Sequence, residues 1–457
     1  MNCYLHPEKW LFVDEKGRPR KAIDARAPET EISFNQDPGH ALSIGYDFRS
    51  ICLFVTTFTT GADAQSGDPG HMDFLPSLLL RSANESCLQK ATLALSLRNF
   101  ANRHAVTDLT SKITEAYSEA LKSTNQALAD QYLAKHDGTL AAVFLLSLYE
   151  SLAPRAVRGS WKAHVHGALQ LLRLRGPEQF STSAGQQLFR LVHTPILLRA
   201  FKNGEEPPEE SRQMVQLFQM YHLPHHFASQ ISTYFYKVVM LRARTAKLLR
   251  QPYTFGESIF ALDGDFQRSL FLLIVQGQAL DTSSDFIGWA AEDDHWRLQK
   301  KSFSHEPARC YEKRYHKYYW CSHWAMCQWI RGWTARLYLY ETLLNALSYL
   351  NASSLRDLAD TASISDIFQG KVQETADNIL CSIDFAFGDI DECGLTKEHD
   401  TFMTDPAASA VGPYYIFYGL EVIIESFFTT RGQKVIAAKA LGRIGRERGL
   451  ARLLCWT

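Results

Sequence analysis

The sequence has little that would tie it to a membrane, a metal or a common catalytic class. No run of about 18 uncharged apolar residues occurs, and the nearest candidate, 414–428, is interrupted by Gly419, Glu421 and Glu425. The opening MNCYLHPEKW lacks a basic segment followed by an apolar core, so no secretory signal is expected. The nine cysteines are scattered without a C-x-x-C pair, which suits reduced thiols rather than a disulfide framework or a zinc site. With 48 basic and 49 acidic residues, the net charge of −1 supplies no general attraction to nucleic acid or anionic lipid. P-loop, G-x-S-x-G, H-E-x-x-H and strand-associated G-x-G-x-x-G signatures are all missing. The expectation is an intracellular chain, cytoplasmic or nuclear, with no cofactor, no metal and no membrane contact.

What is present is apolar and helical. At 457 residues and 46% hydrophobic, the chain can bury one large core or two smaller ones. Its best-marked stretch runs from Asp137 to Phe201. Asp137 reads as the N-cap of a helix with Leu140, Val143, Phe144 and Leu148 on its apolar face, stopped at Pro154. Trp161, Val165, Ala168, Leu169 and Leu172 follow at helical spacing, and Gly176 with Pro177 ends the second helix.

The residues of this hairpin resemble a known family. Asp137, Thr139, Leu140, Tyr149 and Glu150, then Trp161, His164, Gly167, Ala168, Arg175, Gly176 and Pro177, then Gly185 and Phe189 follow its pattern. That family is the fungal zinc binuclear-cluster transcription factors, and the likeness is to their regulatory domain. The resemblance implies an all-α fold, a single large helical domain over 41–457, and a metabolite-sensing role. Near the start, Cys3, Tyr4, Phe12, Asp14 and Glu15 resemble the segment that leaves the zinc cluster. A binuclear cluster needs six closely spaced thiolates, and only Cys3 is in range. The expectation is therefore a linker remnant over 1–40 and no direct DNA binding, with a truncated gene as the other explanation of such a start.

Elsewhere the reading is coarser. Residues 17–40 are rich in Gly, Pro and charge, as a linker is. Helices are expected over Asp47–Phe58, over an amphipathic CLQKATLALSLRNFANR, and over ITEAYSEALKSTNQALAD with Tyr117, Leu121 and Leu128 facing inward. His222, His225 and His226 could bind a metal, but Pro224 spoils helical presentation and no carboxylate sits at a familiar spacing; a polar loop is the simpler reading. Lys237, Arg242, Arg244, Lys247 and Arg250 read as a solvated helix face rather than a nucleic-acid surface. The acidic run Glu292, Asp293, Asp294 lacks the further carboxylate of a magnesium motif. Gly442, Gly445 and Gly449 have no preceding strand and resemble the family's closing helix rather than a phosphate loop.

The most unusual composition lies between Asp281 and Tyr340. Trp320, Trp324, Cys327 and Arg331 would form one helical stripe, and Trp329, Trp333, Arg336 and Tyr340 a neighbouring one. Both stripes suit a core, but one of them lining a cavity would make a small-molecule site. In that reading Trp289, Trp320, Trp324, Trp329, Arg331, Trp333 and Tyr340 bind the ligand, and His323, Arg336 and Asp285 carry any chemistry. The match to the family's own Trp-and-Arg helix is loose, resting on Trp329, Arg331, Trp333 and Arg336.

Two functions then compete. One is a cofactor-independent enzyme of fungal natural-product metabolism, folding a small apolar metabolite for cyclisation, isomerisation or a pericyclic step. The other is a transcriptional co-regulator that senses a metabolite and acts through a DNA-binding partner. The enzyme is favoured slightly at this stage, and a homodimer is compatible with either.

Overall fold

The computed structural model describes residues 45–61, 70–83, 86–153, 160–220, 227–250, 264–301, 317–351, 358–396 and 409–450. The expected linker and cluster-exit residues, Pro154 and the His222, His225, His226 group lie outside them, as do the side chains of Trp161, His164 and Val165.

The described residues are helical almost throughout. In order it forms α1 (Gly45–Phe58), α2 (Phe74–Arg81), α3 (Cys87–His104), α4 (Thr110–Ala129), α5 (Asp137–Leu152), α6 (Ser160–Arg175), α7 (Ser183–Asn203), α8 (Glu209–Met220) and α9 (Phe227–Leu249). Then follow α10 (Gly264–Thr282), α11 (Phe286–Ala291), α12 (His323–Asn351), α13 (Leu358–Leu380), α14 (Ile383–Phe387), α15 (Val411–Glu425) and α16 (Arg431–Arg448). A short antiparallel pair, β1 (Gln299–Lys301) and β2 (Lys317–Tyr319), sits before α12 with Gln299 opposite Tyr319.

Local chemistry sets many of the ends. Ser86, Thr182 and Thr430 each accept a first-turn backbone N–H, and Thr430 with Gln433 closes a capping box. Gly204, Gly388 and Gly449 end helices in the left-handed conformation. Gly185 is required by close approach, since a Cβ there would lie 1.9 Å from the Gln179 carbonyl oxygen.

Two helices organise the packing. α5 is buried from Thr139 to Leu152, wrapped by α3, α4, α6 and α7. α12 plays the same part further along, against α9, α10, α13 and α15. α7 touches both α5 and α9, and the end of α16 returns to α3, where Asn99 donates to the Arg448 carbonyl at 3.1 Å.

Some sequence expectations shift. Asp137 lies in the first turn of α5 with His136 as the N-cap, because its carboxylate is engaged by Arg175 instead of by the helix's own N–H groups. α3 is buried on most sides rather than along one stripe, and even Arg98 is covered, donating to the Tyr149 hydroxyl at 3.2 Å. α4 turns Ile113, Ala120, Thr124 and Ala127 inward and leaves Leu128 38% exposed. Apart from Ile113 these inward residues are small, which lets α4 close against α3. Gly442 and Gly445 sit within α16, as its helical reading required.

Candidate functional site

The aromatic segment divides where β2 ends. Trp320 precedes α12 and is not on it, because the chain first runs as a strand through Tyr319 and turns at Cys321 and Ser322. Ser322 then opens the helix by accepting the Ala325 N–H at 3.1 Å. Trp320 still reaches the same cluster: its ring lies 6.3 Å from Trp333, and Trp333 lies 5.2 Å from Trp329. The Trp329 indole N–H donates to the Trp296 carbonyl at 2.8 Å, and Phe227 stands 5.3 Å from both rings. Trp320, Trp329 and Trp333 are 0%, 2% and 3% exposed. Gly332 admits this packing, since a Cβ there would meet Phe286 at 2.7 Å and Ile231 at 2.9 Å. This stripe is core.

The polar groups expected to carry chemistry are held by separate neighbours. Asp285 is exposed and caps α11, accepting the Gly288 N–H at 2.9 Å. Arg336 donates to the Ser284 carbonyl and lies 3.8 Å above the Phe286 ring. Both therefore order the entrance to α11, where Trp289 sits half-buried beside Phe286. His323 stacks on Phe385 at 4.9 Å, at the other end of α12. Thirteen residues of helix, a rise of about 20 Å, separate the backbones of His323 and Arg336. Tyr340 donates to Asp281 at 2.6 Å, and Asp281 also pairs with Lys371.

The first stripe is different. Arg331 lines a cavity between α7, α8, α9 and α12, together with Arg190, His193, Ser229 and Ser232. The cavity measures about 20 Å³, room for about one water molecule. Arg331 donates to the Ser232 hydroxyl at 3.2 Å and lies 5.0 Å over the Phe235 ring, while its Nε is buried without a hydrogen-bond partner. Burial lowers its pKa to about 10, and the charge of Arg190 acts in the same direction. Arg190 lies over the rings of Phe218 and Trp324, at 5.4 Å and 5.6 Å. His193 meets the Ser211 hydroxyl at 2.5 Å. Its pKa is pushed down to about 3, by burial first and by Arg331 second, so it is neutral near pH 7.

Of the expected ligand residues, only Arg331 lines this cavity, and Trp324 approaches it through Arg190. Arg190 and His193 escaped the sequence reading because they sit in the apolar run LFRLVHTPILLRAF, where isolated polar residues resemble a helix surface. Their spacing of three on one helix was the available signal.

A second, open groove of about 1080 Å³ lies where α3 and α5 begin, lined among others by Cys87, Asp137 and Arg175. The Arg175 side chain is 7% exposed and pairs with Asp137, while its Nε and Nη1 find no partner. Asp137→Ala would leave that cation buried and unpaired. A loss of about 2 kcal/mol is expected, below the range for a fully buried pair because Asp137 is 29% exposed; urea unfolding measures it.

Residues 53–237 match the family model described as the fungal specific transcription factor domain. The likeness to that domain covers this stretch and not the rest of the chain. No curated protein and no solved structure matches it. The matched residues run from within α1 to within α9 and contain the whole α5–α7 scaffold. Within the match, family-pattern positions make the scaffold's own contacts. Tyr149 stacks on Tyr117 at 4.2 Å, Glu150 accepts the Tyr117 hydroxyl at 2.5 Å, and Thr139 donates to the Leu133 carbonyl at 2.7 Å. Among the described residues no helix is long and apolar enough to cross a membrane, and no group of three metal-ligating side chains occurs.

Proposed function

We propose that this chain is a fungal transcriptional regulator whose helical domain receives the regulatory input. The observation that carries this reading is the match of residues 53–237 to the fungal-specific transcription factor domain. It favours the regulator over the cyclase or isomerase. That Asp285, Arg336 and His323 are each engaged by separate neighbours supports the same preference. The regulatory input is a small metabolite, and α12 is the element on which it acts, because that helix stands at the centre of the core and packs against α9, α10, α13 and α15.

Rapid depletion of the protein in its own organism, followed by nascent-transcript sequencing, tests the proposal. A defined set of genes is expected to change within minutes. An unchanged nascent transcriptome under conditions in which the protein is abundant would overturn it.

A further inference from the structure

At the cavity Arg331 is half-buried, its Nε is shut off from solvent without a hydrogen-bond partner, and no anion among the described residues stands beside it. An ionised side chain removed from water is costly unless an opposite charge and hydrogen bonds compensate it. Arg331 has the Ser232 hydroxyl and the Phe235 ring, and neither is an anion. The groups whose charges act on it are Tyr415 and Arg190, a phenol and a second cation. No carboxylate pairs with Arg331 among the described residues. Neutral His193 adds no negative charge, and burial drives the Tyr415 hydroxyl well above its ordinary pKa, so it does not ionise to supply one.

A neutral lining would meet a dry or singly hydrated cavity with no deficit. Here Arg331, Arg190, His193, Ser229 and Ser232 form the polar part of the lining, and four apolar side chains complete a space of about 20 Å³. We propose that the cavity lined by Arg331, Arg190, His193, Ser229 and Ser232 binds a compact monovalent anion, a halide or the carboxylate of a very small acid. Arg331 supplies the charge and a free Nε–H, and the hydroxyls of Ser229 and Ser232 can turn their hydrogens toward the ligand. A space sized for about one water admits a monatomic halide, and a triatomic carboxylate such as formate enters only with small shifts of the lining side chains.

Because α7, α9 and α12 all line this space, occupancy holds together the scaffold matched to the transcription factor family and the aromatic core outside the match. That consequence rests on the proposed regulatory role, whereas the binding itself does not. Binding is measured on the purified protein and transcription in the cell, so either can fail without the other.

The experiment is thermal unfolding of the full chain in chloride, formate or propionate, at an ionic strength held constant with isethionate, whose sulfonate is too bulky for the cavity. Saturable stabilisation of about 3 °C by chloride, formate or both is expected, and none by propionate. Chloride and formate together assign a halide-type site, and formate alone assigns a carboxylate site. Arg331→Met keeps the apolar stem without the charge. It should abolish the anion-dependent shift while leaving the isethionate melting temperature unchanged or higher. Should that variant fail to fold, chlorine-35 line broadening with the wild-type protein, displaced by formate, reads the same site. No saturable shift in the wild type, or an equal shift in Arg331→Met, would overturn the proposal.

Discussion

Replacing Trp329 by alanine is expected to destabilise the domain by about 3–5 kcal/mol. The side chain is 2% exposed and packs against Phe227, Phe286 and Trp333. Alanine removes that contact area, leaves a cavity that the neighbouring rings cannot fill, and strands the Trp296 carbonyl that accepted the indole N–H. Trp329→Phe separates the two contributions, since it keeps a ring in place and loses only the donor and part of the volume; about 1–2 kcal/mol should go. Urea unfolding at pH 7 checks both. A loss below about 1 kcal/mol for the alanine variant would mean that this face of α12 is not the core.

Acid should weaken the fold by a comparable amount through two histidines. His71 and His193 are buried and hydrogen-bonded, to the Tyr415 hydroxyl at 2.9 Å and the Ser211 hydroxyl at 2.5 Å. Burial pushes each from its ordinary 6.5 to about 3. Between those values the unfolded chain binds a proton at each site and the folded chain does not, so stability rises with pH across the window. The contribution is complete above pH 6.5 and is lost as pH falls toward 3. At pH 5 the loss is about 2 kcal/mol per site, about 4 kcal/mol for the pair. Carboxylates contribute their own pH dependence, and the double variant His71→Asn, His193→Gln isolates the imidazoles. Its loss of stability from pH 7 to pH 5 should be smaller than that of the wild type by about that amount. Equal losses in the two proteins would show that these imidazoles accept protons in the folded state.

The parts of the molecule legible in the sequence are those fixed by local chemistry. Gly176, at a φ of +71°, with Pro177 behind it ends α6 where the Gly-Pro signal put the end. Leu140, Val143, Phe144 and Leu148 are buried as their spacing required. The pattern that resembled a regulatory domain coincides with the residues the family model matches. Errors arose where partners come from far along the chain. Asp137 reads as a cap because nothing nearby in sequence reveals Arg175 as its ion-pair partner. Hydrophobicity alone turns Leu128 inward, whereas Ile113, Ala120, Thr124 and Ala127 form the buried face and leave it 38% exposed. Trp320 was placed on α12 because helical spacing alone does not reveal that its preceding residues pair with Gln299–Lys301.

The candidate site was the least legible part for the same reason. Arg331 drew notice as a cation in an aromatic stripe, yet its meaning depends on Arg190 and His193 from α7 and Ser232 from α9. Local periodicity carries no information about which helices meet. The tryptophans were legible as a group but ambiguous in role, since core and pocket lining use the same residues at the same spacing.

Chromatin occupancy of the tagged, full-length protein tests the regulatory reading most directly. Cross-linking followed by sequencing of the associated DNA should show enrichment at discrete promoters, reached through this chain or through a bound partner. A uniform background across the genome, from a tagged protein that complements the loss of the untagged one, would contradict it.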